Sequence, residues 1–259
     1  MFEHLTYEAK DGIGYITINR PASLNSLCNA LVEELDEAVR AVEADDGVRM
    51  LIFTGAGDKS FMAGADIGEL KGRDFIIGRR QTKRRQEVYN RIADLSIPTI
   101  AAINGFALGA GLELALACTI RICVPEAKFG APEVNLGIIP GDGATQRLPR
   151  IIGFGWAMHM ILTAEMINAE QALGLGLVTK IVPKGELLEA AAVIAKTIMS
   201  KPPLAIQYAK DSVSRAFDTS LSVGLFIESY LHALACATED KREGVEAFLQ
   251  KRSPSFKGK

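Results

Sequence analysis

The chain lacks a basic excess, closely spaced cysteines and clustered histidines, and each lack removes a class of function. Its 29 basic against 31 acidic residues leave a formal net charge of −2, which offers no positive field to a polyanion, so no nucleic-acid partner is expected. The four cysteines (Cys28, Cys118, Cys123 and Cys236) form no CxxC pair and no dense framework. They read as reduced, mostly buried thiols of a cytoplasmic protein. Three histidines, at 4, 159 and 232, are too scattered for metal-ligand spacing, so no metal is expected. There is no GxSxG nucleophile elbow, GFALGAG does not fit GxGxxG, and GAGDKS (55–60) has Asp58 where a phosphate loop needs glycine. The first residues, MFEHLTYEAKDG, have neither a basic start nor a continuous apolar segment, and KGK is no peroxisomal address. A cytoplasmic location is therefore expected.

Uninterrupted hydrophobic runs of membrane length are also missing. The nearest is IPTIAAINGFALGAGLELALACTI (97–120), whose one charge is Glu113. Its length satisfies the ~20 residues that a span needs. Pro98, the Asn104-Gly105 turn signal, Gly109, Gly111 and a costly carboxylate argue against one. No membrane association is expected. The segment parses instead as a buried strand PTIAAI, a glycine-interrupted loop NGFALGAG, and a helix beginning near Gly109 to Gly111. Glu113 then lies in the helix's first turn, where the dipole favours negative charge. A carboxylate in so apolar a run must be neutralised, paired or used.

What is present is an α/β pattern. In a chain of 259 residues, 48% hydrophobic and 23% charged, one large domain with a smaller appendage can form. LTYEAK and IGYITIN flank a hairpin turn at Asp11-Gly12. Leu31, Leu35, Ala38, Val39 and Val42 share one face of a helix. RMLIFTG is a fully apolar strand of the kind that helices cover on both faces. An arginine-rich helix follows over about 78–95, then PTIAAI, RICVPE and LVTKIVP as further strands, with helices at GFGWAMHMILTA and NAEQALGLG between the last two. Strands alternating with helices imply a largely parallel sheet. Beyond Lys201-Pro202-Pro203 only helical patterns remain: LAIQYAKDSVSRAF, LSVGLFIESYLHALAC and, capped by Thr238, EDKREGVEAFLQKR. The expected organisation is a core over 1–200 and a helical region over 201–259.

A second carboxylate, Glu133 in FGAPEVNLGIIPGDGATQRL, stands twenty residues after Glu113 in a similar setting. Spacing alone leaves open whether the two are unrelated surface or helix-start residues. Two carboxylates at one carbon pair perform acid–base work when burial and like charge keep one protonated.

Six segments carry a resemblance that spans essentially the whole chain: INRPASLNSL, FTGAGDKSFMAGADI, PTIAAINGFALGAGLELALACTIRI, AKFGAPEVNLGIIPGDGATQRLPRIIG, NAEQALGLGLVTKIV and ATEDKREGVEAFLQKRSPSF. In order and spacing the sequence resembles the crotonase, or enoyl-CoA hydratase/isomerase, superfamily. The resemblance implies a spiral of ββα repeats followed by a C-terminal helical region for subunit association. It places Glu113 and Glu133 on the two catalytic positions. Since members with one glutamate usually isomerise double bonds or do other thioester chemistry, it points to hydration of trans-2-enoyl-CoA; the alternative is another reaction of the same family, isomerisation, thioester hydrolysis or hydration of an unusual acyl group.

By the same resemblance the main-chain N–H groups of Ala65 and Ala110 hold the thioester oxygen, Glu113 helps deprotonate water, and Glu133 delivers a proton to C2. Coenzyme A enters as part of the substrate and no other cofactor is implied. Phe61, Ala63 and Ala65 are placed by its adenine end. Lys251 is placed on a phosphate of CoA held by a neighbouring subunit of a hexamer built as a dimer of trimers; the alternative is a solvated tail charge. Two positions depart from the family pattern: Ala110 replaces a common glycine, and Gly68 replaces a frequent lysine, for which Lys71 is the nearest substitute. Asp142, in IIPGDGAT, reads first as the N-cap of a helix over 143–148 and otherwise as a substrate-facing carboxylate. A few relatives bind RNA, a reading that the near-neutral charge opposes.

Overall fold

In the computed structural model, which describes residues 2–259, Asp11 and Gly12 both take positive φ (53° and 77°). That is the backbone of a tight hairpin turn, and it pairs β1 (Leu5–Lys10) with β2 (Ile13–Ile18) in antiparallel register, Leu5 opposite Ile18. The next helix, α1 (Asn29–Glu43), buries Leu31, Leu35, Ala38, Val39 and Val42. β3 (Met50–Gly55) is buried throughout and runs parallel to β2. Burying each of Met50, Leu51, Ile52 and Phe53 stabilises the sheet by roughly 1.5–3 kcal/mol relative to exposure.

From β3 onward the chain repeats one plan. A first strand enters the large sheet, a second short strand enters another sheet, and a helix returns. β3 is followed by β4 (Ser60–Ala63), then α2 (Ile67–Leu70) and α3 (Phe75–Asp94). β5 (Thr99–Ile103) is followed by β6 (Phe106–Leu108) and α4 (Ala110–Ala117). β7 (Ile120–Cys123) is followed by β8 (Lys128–Gly130), a 3₁₀ turn at Pro132–Leu136, α5 (Ala144–Ile152) and α6 (Phe154–Thr163). The unit continues through β9 (Ile167–Asn168), α7 (Ala169–Gly174), β10 (Lys180–Ile181) and the start of α8 (Leu187–Met199). The large sheet has the order β1-β2-β3-β5-β7-β10 and the small one β4-β6-β8-β9. Within them only β1–β2 and β8–β9 are antiparallel. This is the expected ββα spiral.

The small sheet corrects the local pattern reading. NGFALGAG is a loop only at its ends, since Phe106–Leu108 is a strand, and so are Ser60–Ala63 and Lys128–Gly130. Segments of three or four residues are too short to show a period of two, and their glycines read as breakers. Residues 97–120 accordingly contain two strands and a helix of eight residues, α4.

The chain separates into two units, one running up to Leu95 and over Thr99–Ala192, the other comprising Ser96–Pro98 and Val193–Lys259. The division falls within α8. The second unit continues with α9 (Pro203–Ser214), α10 (Leu221–Ala237) and α11 (Glu239–Leu249), the last capped by Thr238, whose side chain accepts from Lys241 N–H. No single described helix is long and apolar enough to cross a membrane.

Candidate active site

Close backbone packing fixes the site. A Cβ on Gly105 would lie 2.1 Å from Lys59 O, and one on Gly111 would lie 2.0 Å from Met62 O, so β6 and α4 approach β4 only because these positions lack side chains. Asn104 locks the entry, donating through Nδ2 to Gly55 O (2.8 Å) and Gly57 O (3.0 Å). In the parallel register of the small sheet Ala63 stands opposite Leu108. Two residues beyond each strand's end are Ala65 and Ala110. The peptide around Ala65 is clamped by Leu27, which donates to Gly64 O (2.9 Å) and accepts from Asp66 N–H (2.8 Å). Ala110 opens α4, and its carbonyl accepts from the buried Tyr89 hydroxyl (3.1 Å). Neither Ala65 N–H nor Ala110 N–H has an acceptor among the described residues. Free donors at a helix start are what the missing first-turn acceptors leave behind.

Every residue of α4 is buried, and Glu113 lies in its first turn. Its Oε1 accepts from Asp142 N–H (2.8 Å) and Ala144 N–H (2.9 Å). Glu113, not Asp142, therefore satisfies the head of α5. The N-cap position belongs to Gly143, which has no side-chain cap bond, so the cap reading of Asp142 is corrected. Gly143 has φ of 130°, and the Asp142 side chain makes its ionic contact with Arg85 on α3. Asp142 is buried, with Oδ2 3.8 Å from Nη1 of Arg85.

Glu133 sits in the 3₁₀ turn behind Pro132. A Cβ on Gly109 would lie 2.7 Å from Glu133 Oε1, and Gly109 itself has φ of 49°. Thus the glycine before the Ala110 donor leaves room for this carboxylate. The other oxygen, Oε2, is buried with no hydrogen-bond partner.

Three carboxylates share this space, and their protonation is linked. Burial, then the charge of Asp142, pushes Glu113 up to about 8 against the pull of its two N–H donors. Burial likewise raises Glu133, with Asp142 again adding to the shift. Asp142 is pushed up by burial to about 6, held back by Arg85 and Arg73. At neutral pH the set retains protons that exposed carboxylates would have lost.

All these groups line one cavity of about 1710 Å³, together with Ala63, Gly64, Gly68, Lys71, Arg73 and Arg85. Of the residues expected from sequence, Ala63, Ala65, Ala110, Glu113, Glu133 and Asp142 meet there. Gly68 and Lys71 also lie on its wall. Phe61 is fully buried in β4 and is not part of the lining. Lys251 belongs to the second unit, just past α11, with φ of 55°. Among the described residues no group of three or more His, Cys, Asp or Glu is arranged to hold a metal ion.

Arg85 and Arg73 were not singled out from sequence. A signal existed for Arg85: Val88, Tyr89 and Ile92 follow at helical spacing and are buried with it, so the periodicity puts it on the core stripe of α3.

The enoyl-CoA hydratase/isomerase family model matches residues 8–259. The chain is 43% identical to a crotonyl-CoA hydratase of Syntrophomonas wolfei, over 98% of each chain. It is equally identical, 43%, to a short-chain-enoyl-CoA hydratase of Clostridium acetobutylicum, over 95% of this chain and 94% of that one. It superposes on the crystal structure of an enoyl-CoA hydratase from Bacillus anthracis with a TM-score of 0.95, at 40% identity, covering 99% of this chain and 100% of the other.

Proposed function

The chain belongs to the enoyl-CoA hydratase/isomerase family, and from that premise we infer that it is an enoyl-CoA hydratase, a lyase adding water across C2=C3 of trans-2-enoyl-CoA thioesters to give 3-hydroxyacyl-CoA. The observation that carries the reading is the pair of carboxylates, Glu113 buried and Glu133 half-buried with its Oε2 sealed from solvent, on one cavity with two unengaged main-chain donors.

Water attacking C3 drives charge onto the thioester oxygen. The N–H groups of Ala65 and Ala110 receive that charge; one such donor is typically worth ~10²–10³ in rate. Glu113, held by Asp142 N–H and Ala144 N–H, positions the water and, in its ionised form, draws its proton. Glu133, whose Oε2 has no protein partner, delivers a proton to C2. Both act through one water, so their protonation states form a coupled pair. The thioester itself accepts the electron pair, so the chemistry calls for no cofactor beyond the coenzyme A of the substrate. Purified protein, treated with a chelator, is expected to bleach the ultraviolet absorbance of crotonyl-CoA as the conjugated thioester is hydrated. Folded protein that leaves short and medium enoyl-CoA unchanged would sink the assignment.

We also propose a hexamer, a dimer of trimers, in which Lys251 of one subunit reaches a phosphate of CoA bound to its neighbour. Within the second unit, Leu221, Leu225, Phe226, Tyr230 and Leu234 on α10 and Phe248 on α11 are exposed. That is more apolar surface than a monomer usually leaves in water. Light scattering is expected to give six times the chain mass at micromolar concentration; a stable monomer removes both the assembly and the trans role of Lys251.

A further inference from the structure

The cavity wall holds a buried cluster of charge that the hydration chemistry does not use. Arg85 on α3 is 3% exposed, yet its Nη1 stands 3.8 Å from Asp142 Oδ2 and its Nη2 stands 3.9 Å from Glu69 Oε2. Both distances are ionic contacts beyond hydrogen-bond range. Arg73 repeats the arrangement, its Nη2 standing 4.0 Å from the same Glu69 oxygen. Nε and Nη2 of both arginines are sealed from solvent with no hydrogen-bond partner. The oxygens of Glu69 already accept from Asn29 N–H, at 3.0 and 3.1 Å. Donors are thus in excess, and buried donors in a native structure are almost always paired with something.

The missing partner is an acceptor of defined chemistry. A guanidinium presents donors only, in a planar fork, and the group that matches it is a carboxylate, with two oxygens and no donor. Charge points the same way. Burial, then the charge of Arg85, lowers the affinity of Arg73 for its proton, so the two cations lie close enough to repel, and an added anion relieves them. Location separates the acyl chain from the nucleotide of coenzyme A. Arg85 faces Asp142, whose own N–H is bonded to Glu113, so the cluster adjoins the reacting carbons. A CoA phosphate there would displace the double bond from Glu113 and Glu133, whereas a group on the acyl chain leaves it beside them.

We propose that Arg85, with Arg73 beside it, receives a carboxylate carried by the acyl chain, and that the preferred substrates are enoyl-CoA thioesters of dicarboxylic acids. This rests on the hydratase reading of the same cavity and adds its substrate class. Asp142 and Glu69 hold the two guanidiniums in place while the site is empty. Asp142, pushed up by burial to about 6, takes up a proton as the third anion arrives.

The test compares chain-matched thioesters on the wild-type enzyme: glutaconyl-CoA against trans-2-pentenoyl-CoA, and 2,3-dehydroadipyl-CoA against trans-2-hexenoyl-CoA, each acid also against its ω-carboxamide. In at least one pair, kcat/KM for the acid is expected to exceed both neutral analogues by about tenfold or more, since sites built around a polar group reject analogues lacking it. Arg85→Met is expected to remove most of that preference and Arg85→Lys to keep part of it, because lysine retains the charge but loses the fork. Ratios below about tenfold in both pairs overturn the proposal, as does a ratio that survives Arg85→Met in folded protein. The wild-type comparison needs no variant and stays decisive if Arg85→Met fails to fold. Neutral thioesters hydrated without preference sink this proposal alone, whereas no turnover of any thioester sinks the hydratase reading beneath it.

Discussion

Glu113→Gln and Glu133→Gln will each lower turnover by about 10²–10⁴, the usual worth of a general acid–base group, while CoA-ester binding persists. Glutamine at 113 can still accept from Asp142 N–H and Ala144 N–H through its amide oxygen, so α4 and α5 stay joined and only proton exchange is lost. Glutamine at 133 likewise keeps the shape above Gly109. Since both side chains act on one water and one double bond, the double variant should lose far less than the product of the single losses. Exchange of the C2 proton of a saturated acyl-CoA with solvent separates the roles. It needs no attack by water, so Glu133→Gln should suppress it strongly and Glu113→Gln should leave more of it. Equal exchange in both variants contradicts the assigned division of labour, and full turnover in either one removes that glutamate from the mechanism.

The same variant has a signature in stability. Glu113 and Asp142 hold protons in the folded chain, up to about 8 and about 6, that the unfolded chain releases near its ordinary carboxylate values. The folded state therefore binds more protons over that interval, and stability falls as pH rises through it. The stability is fully present below the unfolded pKa and lost by the time pH passes the folded one. In Glu113→Gln the fall in Tm between about pH 5 and 9 should become shallower, because one of the titrating groups is gone. An unchanged slope means that Glu113 is not the group that carries the raised affinity for a proton.

How much of this was readable in the sequence depended on the physical range of each signal. The hairpin at Asp11-Gly12, the α1 stripe and β3 declare themselves within a few residues, through turn chemistry and periodicity. Glu113 stood out because ionised groups are costly in an apolar run, and the structure places it in a helix buried throughout. The small sheet left no such trace, since Phe106–Leu108 and Lys128–Gly130 each span three residues. Their strand character is imposed by neighbours across the sheet. Ala65 and Ala110 each lie two residues past a paired strand end, Ala63 opposite Leu108, and their sharing of one cavity has no local signature. It came from the resemblance, as did the role of Glu133. Asp142 shows the opposite case: a strong local preference for capping was overridden because Glu113, twenty-nine residues earlier in sequence, already occupied the helix head.

The second large effect expected is that of Gly109→Ala, which should lower kcat by about 10²–10³, as loss of one oxyanion donor does, without replacing an ionisable group. Gly109 has φ of 49° and ψ of −120°, a region that a side chain enters only with strain of about 1–3 kcal/mol. The added Cβ would also lie 2.7 Å from Glu133 Oε1 and 3.5 Å from Gly64 Cα. Relief requires either that the carboxylate swing off C2 or that the peptide carrying Ala110 N–H rotate away from the one carrying Ala65 N–H, and each movement removes a group from the transition state. Gly57→Ala supplies the control. Gly57 also has positive φ (77°), but a Cβ there meets nothing nearer than Pro21, at 3.7 Å. It should therefore pay similar backbone strain in thermal stability while keeping its turnover. If Gly109→Ala and Gly57→Ala lose stability alike and both retain kcat, the glycine before Ala110 serves the fold alone. The oxyanion site would then have to be sought away from the head of α4.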